Sequence, residues 1–276
     1  MSKEHRLQHG APLGKAVAYD SPYDPGLLFA IARSESRERL GFGAALPFSG
    51  CDIWNAWEVS WLDAAGKPAV AWGEFRVPAE TPNIIESKSL KLYLNSLNQE
   101  RLGSLEAVKA VVERDLSAVA GAPVIVNLTP PERWPDRLRV PEGRCLDDLP
   151  VVIRHYHPEP ALLVASGEEV VEECLYSNLL RSLCPVTGQP DWGGIMLRYR
   201  GPAIDCAGLL AYIVSFRQHQ DFHEQCAERM FRDIMERCRP EALTIHARYL
   251  RRGGLDINPF RTNTSEQPDN GRWFLQ

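Results

Sequence analysis

At 276 residues, with 44% hydrophobic and 24% charged residues, the chain is long for one ordinary domain and comfortable for two with real cores. A net charge of −5 gives no whole-chain case for nucleic-acid binding, and no apolar run approaches the roughly 20 residues that span a bilayer. The polar start, MSKEHRLQHGAPLGK, lacks a signal-peptide apolar core, so a soluble, cytoplasmic chain without membrane partners is expected.

The first 50 residues carry many Gly, Pro and Ser, with one short helical candidate near Leu27–Arg39. Residues 53–62 (IWNAWEVSWL) and 69–77 (AVAWGEFRV) are rich in β-branched and aromatic side chains and are separated by DAAGKP, which predicts a β-hairpin. Pro78 and Pro82 stop it. From Glu86 on, Leu90, Tyr93, Leu94 and Leu97 recur at helical spacing, predicting an amphipathic helix. A second helix, about Ser104–Val119, begins with Ser-x-x-Ala and ends before Gly121-Ala-Pro. Residues 123–128 (PVIVNL) predict a buried strand. The Pro-, Asp- and Arg-rich stretch 129–150 has no apolar periodicity and places the boundary between modules 1–135 and 136–276.

The second half repeats this pattern. Strands are predicted at 151–156 and 168–176, then a loop around Cys184 and a strand near Gly194–Tyr199. Pro202-Ala203 parallels Pro78-Ala79, and the helix Gly208–His219 places Leu209, Tyr212 and Phe216 about 119 positions after Leu90, Tyr93 and Leu97. A helix near His223–Cys238 matches Ser104–Val119, and the strand LTIHARY matches PVIVNL. Hairpin, helix, helix and strand, given twice, predict two β-β-α-α-β units and an α+β fold.

Seven dispersed cysteines without a C-x-x-C pair argue against a disulfide framework or zinc ribbon, so most are expected to be buried thiols. Cys184 is set apart by its turn-rich surroundings, SLCPVTGQPDWGG, with Asp191 seven residues on. A thiol and a carboxyl held by one rigid loop suit a nucleophile and a proton donor, and equally suit a buried thiol beside a turn-forming Asp. Spacing does not choose between them. Glu86 opens a helix with Ser87, Lys88, Ser89 and Lys91 behind it. Capping with a solvated lysine face explains this, as does a carboxylate accepting two hydrogen bonds from a guanine-like N–H edge. His223-Glu224 starts the last helix, as a structural hydrogen-bonder or as a holder of a polar heterocycle. Arg251-Arg252-Gly253-Gly254 is a solvated turn or a phosphate clamp. Gly41-Phe42-Gly43 lacks the third glycine of a dinucleotide fingerprint, and His155 and His157 have no third ligand at a metal spacing, so no metal is expected.

The segment Glu86-Ser87-Lys88-Ser89-Leu90-Lys91-Leu92-Tyr93 resembles the signature of the NADPH-dependent 7-cyano-7-deazaguanine reductases (QueF), and Cys184–Trp192 is similar to that family's nucleophile loop. His223-Glu224 and the run from Arg251 to Pro259 also fit, so the resemblance extends from about residue 50 to the carboxyl end. It resembles the long, two-module branch, with the signature in the first module and the cysteine in the second. The resemblance implies a tunnelling fold whose modules assemble across subunits into a barrel-like homodimer, and NADPH as cofactor. It implies Cys184 and Asp191 as catalytic residues and Ile85, Glu86, Ser87, His223 and Glu224 as substrate-binding residues. Ser87, Lys88, Arg252 and Gly253 would contact NADPH.

In the chemistry so implied, Cys184 thiolate adds to the nitrile while Asp191 protonates its nitrogen. The resulting thioimide accepts hydride more readily than the nitrile does. Asp191 must then carry a proton when substrate is bound, which asks for a desolvated position. Rival readings are a tunnelling-fold cyclohydrolase, which would want metal ligands, a nitrile-hydrating enzyme, and a base-binding protein with no use for Cys184.

Overall fold

The computed structural model describes residues 22–134, 138–274 and 276. The first 21 residues and the expected module cut between 135 and 136 lie outside these. In chain order the elements are β1 (Ala30–Ala32), α1 (Ser34–Arg39), β2 (Ser49–Asp63), β3 (Pro68–Pro78), β4 (Asn83–Ile85), α2 (Ser87–Ser96), β5 (Arg101–Gly103), α3 (Leu105–Ala120) and β6 (Ile125–Thr129). There follow β7 (Arg144–Cys145), β8 (Ala165–Leu183), β9 (Pro190–Ile204), α4 (Cys206–Ser215), α5 (His223–Cys238), β10 (Ala242–Tyr249) and β11 (Leu255–Thr262). The molecule is thus mixed α+β, and none of its described helices is long and apolar enough to cross a membrane.

Two compact units result. The first holds residues 22–35, 53–134 and 251–256. Its hairpin β2–β3 turns where Asp63 Oδ1 accepts the amides of Ala65 and Lys67, both at 2.9 Å. Strand β6 pairs antiparallel with β3, from Trp72 opposite Thr129 to Arg76 opposite Ile125, and β5 lies parallel to β2. Helix α3 is capped by Ser104 Oγ, which accepts from Ala107 N at 3.1 Å, and stops at Gly121, whose φ of 79° suits a residue without Cβ. Val108, Val112, Leu116 and Ala120 form its buried stripe at helical spacing.

The second unit holds residues 36–52, 138–250, 257–274 and 276. Its strands run in the order β11-β10-β9-β8-β7. The long hairpin β8–β9 pairs from Ala165 opposite Ile204 to Leu183 opposite Pro190, and β10 lies antiparallel to β9. Helix α4 is apolar nearly all round and buries Leu209, Leu210, Tyr212 and Ile213. Buried charges explain why residues 36–52 belong to this unit. Arg37 holds Glu228 through two nitrogens at 3.0 and 2.7 Å, and fully buried Arg261 bridges Asp52 at 2.8 Å and Glu228 at 2.9 Å. Removing one member of such a set strands a buried charge, at a cost of about 3–5 kcal/mol.

The structure corrects three sequence expectations. Residues 151–156 form no strand, and Val152 is 78% exposed. The run is apolar and β-branched but lies between Pro150 and Pro158, and no strand pairs with it. The second hairpin instead uses β8 and β9, with the Cys184 loop at its tip. The helix expected over Leu27–Arg39 shrinks to α1, because Ala30–Ala32 pairs with Asn83–Ile85. The cysteines are all free, but only Cys226 and Cys238 are buried, and the other five are half-buried.

Candidate active site

In the second unit, Cys184 lies in the loop that closes β8 to β9. Its N–H donates to Gln189 O and its carbonyl accepts from Gly188 N, both at 2.9 Å. Gly188 takes a φ of 67°, so the tight return after Cys184-Pro185 needs a residue without Cβ. The thiol is half-buried. Asp191, the second residue of β9, stands opposite Ser182 and is buried. The β-hairpin register thus brings Asp191 back to the end where Cys184 sits, although seven residues separate them.

His223 is the first residue of α5, and its Nε2 lies 3.3 Å from Asp191 Oδ2. The imidazole stacks on Tyr249 with ring centroids 3.7 Å apart and planes within 4°. Its Nδ1 is buried without a hydrogen-bond partner. Glu224 follows, buried in the first turn, where the positive end of the helix dipole favours a carboxylate. The residues flanking the helix start are fixed by Gln225 Oε1 and Asp221 Oδ1, which accept from Phe222 N at 3.4 and 3.2 Å. A thiol on a tight turn, a buried carboxyl at the same end of the hairpin and an imidazole in contact with that carboxyl are groups from which a general-acid site can be built.

In the first unit, Ile85 ends β4 and is buried opposite Ala30. Glu86 is only 1% exposed. Its Oε1 accepts from Lys88 N at 2.9 Å and its Oε2 from Ser89 N at 2.7 Å, so it caps α2. Burial raises the Glu86 carboxyl above the ordinary glutamate value, while the bonds from Lys88 and Ser89 and the charge of Lys88 pull the other way. The capping reading of the sequence is therefore realised, and the Ser87 hydroxyl bonds the carboxylate as well, which leaves room for about one further donor. Ser87 and Lys88 occupy the first turn, half-buried.

Arg252 and Gly253 sit in a turn closed by Arg252 N to Leu255 O at 2.8 Å, with Gly253 and Gly254 at φ of 58° and 83°. Trp57 N bonds Gly254 O at 2.9 Å, and the buried Asp256 carboxylate accepts from Asn55 Nδ2 at 2.6 Å and Trp57 Nε1 at 2.7 Å. The turn faces α2. A Cβ on Gly253 would lie 2.9 Å from Lys91 Nζ, and one on Gly254 would lie 2.6 Å from the Glu58 carboxyl carbon. Glu58, Lys91, Asn95, Asn98, Gly253 and Gly254 thereby line one cleft. Asn98 Oδ1 in it is a buried acceptor without a partner. The Lys91 ammonium pairs with Glu58 at 3.9 Å; with bare glycine backbone and a free amide acceptor beside it, the cleft suits a cofactor with a phosphate and with hydroxyl or carboxamide donors once that exposed pair opens.

The structure thus brings Asp191 to His223 at the Cys184 hairpin, and brings Lys91 of α2 to Gly253, whereas Ser87, Lys88 and Arg252 do not line that cleft. Two groups escape the sequence reading. Tyr249 reads only as part of a strand, and the pointer to it is Gly193 opposite, which leaves room for its ring. Asp256 and Asn258 read as motif residues but are scaffolding. Asn258 Oδ1 accepts from Tyr249 N at 3.2 Å and Gln276 Nε2 at 2.8 Å.

Residues 19–128 match a family model described as "Nitrile reductase, 7-cyano-7-deazaguanine-reductase N-term", and residues 190–268 match one described as "QueF-like protein". A Bordetella avium (strain 197N) protein named NADPH-dependent 7-cyano-7-deazaguanine reductase is 58% identical over 92% of this chain and 93% of its own length. Proteins of the same name from Dechloromonas aromatica (strain RCB) and Burkholderia vietnamiensis (strain G4 / LMG 22486) are 58% and 55% identical, covering 97% and 100% of this chain and 96% and 100% of their own. On this similarity over nearly its whole length, the chain belongs to the family of NADPH-dependent 7-cyano-7-deazaguanine reductases.

Proposed function

We propose that the chain reduces the nitrile of 7-cyano-7-deazaguanine to 7-aminomethyl-7-deazaguanine with NADPH, through a covalent thioimide on Cys184, in queuosine tRNA-modification biosynthesis. The observation that carries the reading is near-full-length similarity at 55–58% identity to reductases of that name. The Asp191–His223 pair at the Cys184 hairpin supports the covalent route. Cys184 sulfur adds to the nitrile carbon, one C≡N π bond breaks, and the nitrogen takes the proton that Asp191 gives up. His223 then faces the Asp191 carboxylate. Glu86, with Ile85 and Ser87, holds the base edge, and His223 and Glu224 contribute the second pair of contacts.

NADPH, when bound, would supply one hydride per molecule, so two molecules in turn carry the carbon to the amine, and the Cys184 sulfur leaves between them and recovers its electron pair. Ser87, Lys88, Arg252 and Gly253 would hold it, and the cleft between α2 and the 251–254 turn has the cation, the bare backbone and the unpaired acceptor for it. The tandem units fit a tunnelling fold that assembles as a homodimeric barrel, in a cytoplasmic enzyme.

Intact-protein mass spectrometry after mixing with 7-cyano-7-deazaguanine, without NADPH, tests the covalent step. Wild type should gain the mass of the substrate and Cys184→Ala should not. Asp191→Asn should form the adduct more slowly. Wild type that stays folded, reduced and unmodified would rule out the thioimide.

A further inference from the structure

We propose that Tyr249 is a positioning residue for the reaction and acts through His223. The inference rests on Asp191 and His223 being part of the reacting site, as proposed above.

A histidine at the first position of a helix has few constraints from its own helix. The ring of His223 meets Asp191 at Nε2 and the face of Tyr249. A near-parallel stack at 3.7 Å fixes the plane of the imidazole, and with the plane fixed Nε2 stays directed at the Asp191 carboxylate. The other nitrogen, Nδ1, is buried without a partner. A protein rarely leaves such an atom unsatisfied unless a bound molecule completes it. With Nε2–H shared with Asp191, Nδ1 is a hydrogen-bond acceptor, suited to an N–H of the base.

Tyr249 is itself held without reference to His223. Its ring is fully buried at the end of β10. Its N–H donates to Asn258 Oδ1 at 3.2 Å, and its carbonyl accepts from Gln276 Nε2 at the same distance. Gly193 stands opposite it in the sheet, where a Cβ would come within 3.1 Å of Tyr249 Cδ1 and 2.9 Å of Arg248 O. The glycine therefore leaves the ring the place it needs under His223. The hydroxyl lies beside Ser182 and Cys226, so the tyrosine meets the imidazole with its face and phenylalanine can serve in its stead.

The test compares wild type, Tyr249→Phe, Tyr249→Leu, His223→Ala and the double variant Tyr249→Leu/His223→Ala in nitrile reduction, with melting curves for each. Tyr249→Phe should stay within about threefold of wild-type kcat, and Tyr249→Leu should lose about tenfold or more with KM for NADPH unchanged. The double variant should be no slower than His223→Ala alone, because the only route by which Tyr249 acts is already gone. Gly193→Ala, which crowds the ring without altering it, should lose activity in the same direction, and that loss should vanish in the His223→Ala background. This second comparison decides the matter if Tyr249→Leu fails to fold. Multiplicative losses in the double variant, or wild-type rates for Tyr249→Leu, would overturn the proposal while leaving the site intact. Wild-type rates for His223→Ala would instead remove His223 from the reaction, and Tyr249 with it.

Discussion

Glu86 and Asp205 each donate a backbone N–H to a loop carbonyl, Phe29 O at 2.9 Å and Val164 O at 2.8 Å, and each carboxylate accepts two amides of the helix that follows. Seven residues on, Tyr93 and Tyr212 send their hydroxyls to Asp115 at 2.7 Å and Asp233 at 2.6 Å. Three residues further, Ser96 and Ser215 return their hydroxyls to those tyrosines' carbonyls and accept the amides of Asp24 and Glu159, both at 3.3 Å. The two units therefore share one scaffold down to individual bonds. They differ at the starts of these helices. Glu86 is buried and followed by Ser-Lys-Ser-Leu-Lys, whereas Asp205 is exposed and followed by Cys-Ala-Gly-Leu-Leu. At the place of Ser89 stands Gly208, where a Cβ would lie 2.3 Å from Leu162 O. A repeated frame keeps the caps and buried networks that folding needs, and one copy alone keeps the lysines and buried carboxylate that a ligand would need.

The sharpest break of this comparison is kinetic. Glu86→Ala should raise KM for 7-cyano-7-deazaguanine by about 10- to 100-fold, the worth of hydrogen bonds to a charged group, with a smaller effect on KM for NADPH. A larger effect on NADPH would reassign Glu86 to the cofactor. Next comes stability. Tyr212→Phe should destabilise the protein by about 1–3 kcal/mol in urea unfolding, because it takes the phenol from a fully buried Asp233. Tyr93→Phe should cost less, since each aspartate keeps a neighbouring arginine at 2.8 Å and Asp115 also keeps Tyr23 at 2.6 Å. Equal losses would mean that the two networks are not tuned separately.

Asp205→Ala should lose only about 1 kcal/mol, an N-cap's worth, and leave kcat and KM unchanged. A kinetic defect there would show that the second copy keeps a role in binding.

The smallest effect is that of pH. The folded Glu86 carboxyl titrates above its unfolded value, so its contribution to stability declines as pH rises through that window. Its power to accept a ligand's hydrogen bonds fails in the opposite direction, as pH falls. KM for the base should climb on acidification at a higher pH than an ordinary glutamate would give, and Glu86→Gln should remove that climb.

Local chemistry carried much of this into the sequence. Asp63 and Gly66 make the β2–β3 turn, Ser104 and Gly121 bound α3, and Glu86 and His223 mark the starts of α2 and α5, because caps and turns are settled within a few residues. The recurrence of Leu90, Tyr93 and Leu97 as Leu209, Tyr212 and Phe216, 119 positions on, exposed the repeat, since each copy must bury the same helix face. The motif residues around Cys184 and Glu86 pointed to the family without coordinates.

Tertiary structure decided the rest. Whether 151–156 is a strand depends on a partner, and none pairs with it, while the 19 residues of β8 owe their length to β9. Residues 36–52 join the second unit through ion pairs to Glu228 and Arg261, about 200 positions away. Asp191 meets His223 because a hairpin register and a helix start converge, and Tyr249 lies under that imidazole with Gly193 opposite, where a Cβ would come within 3.1 Å of its ring. Contacts of this kind are set by packing between distant segments, which no window of sequence contains.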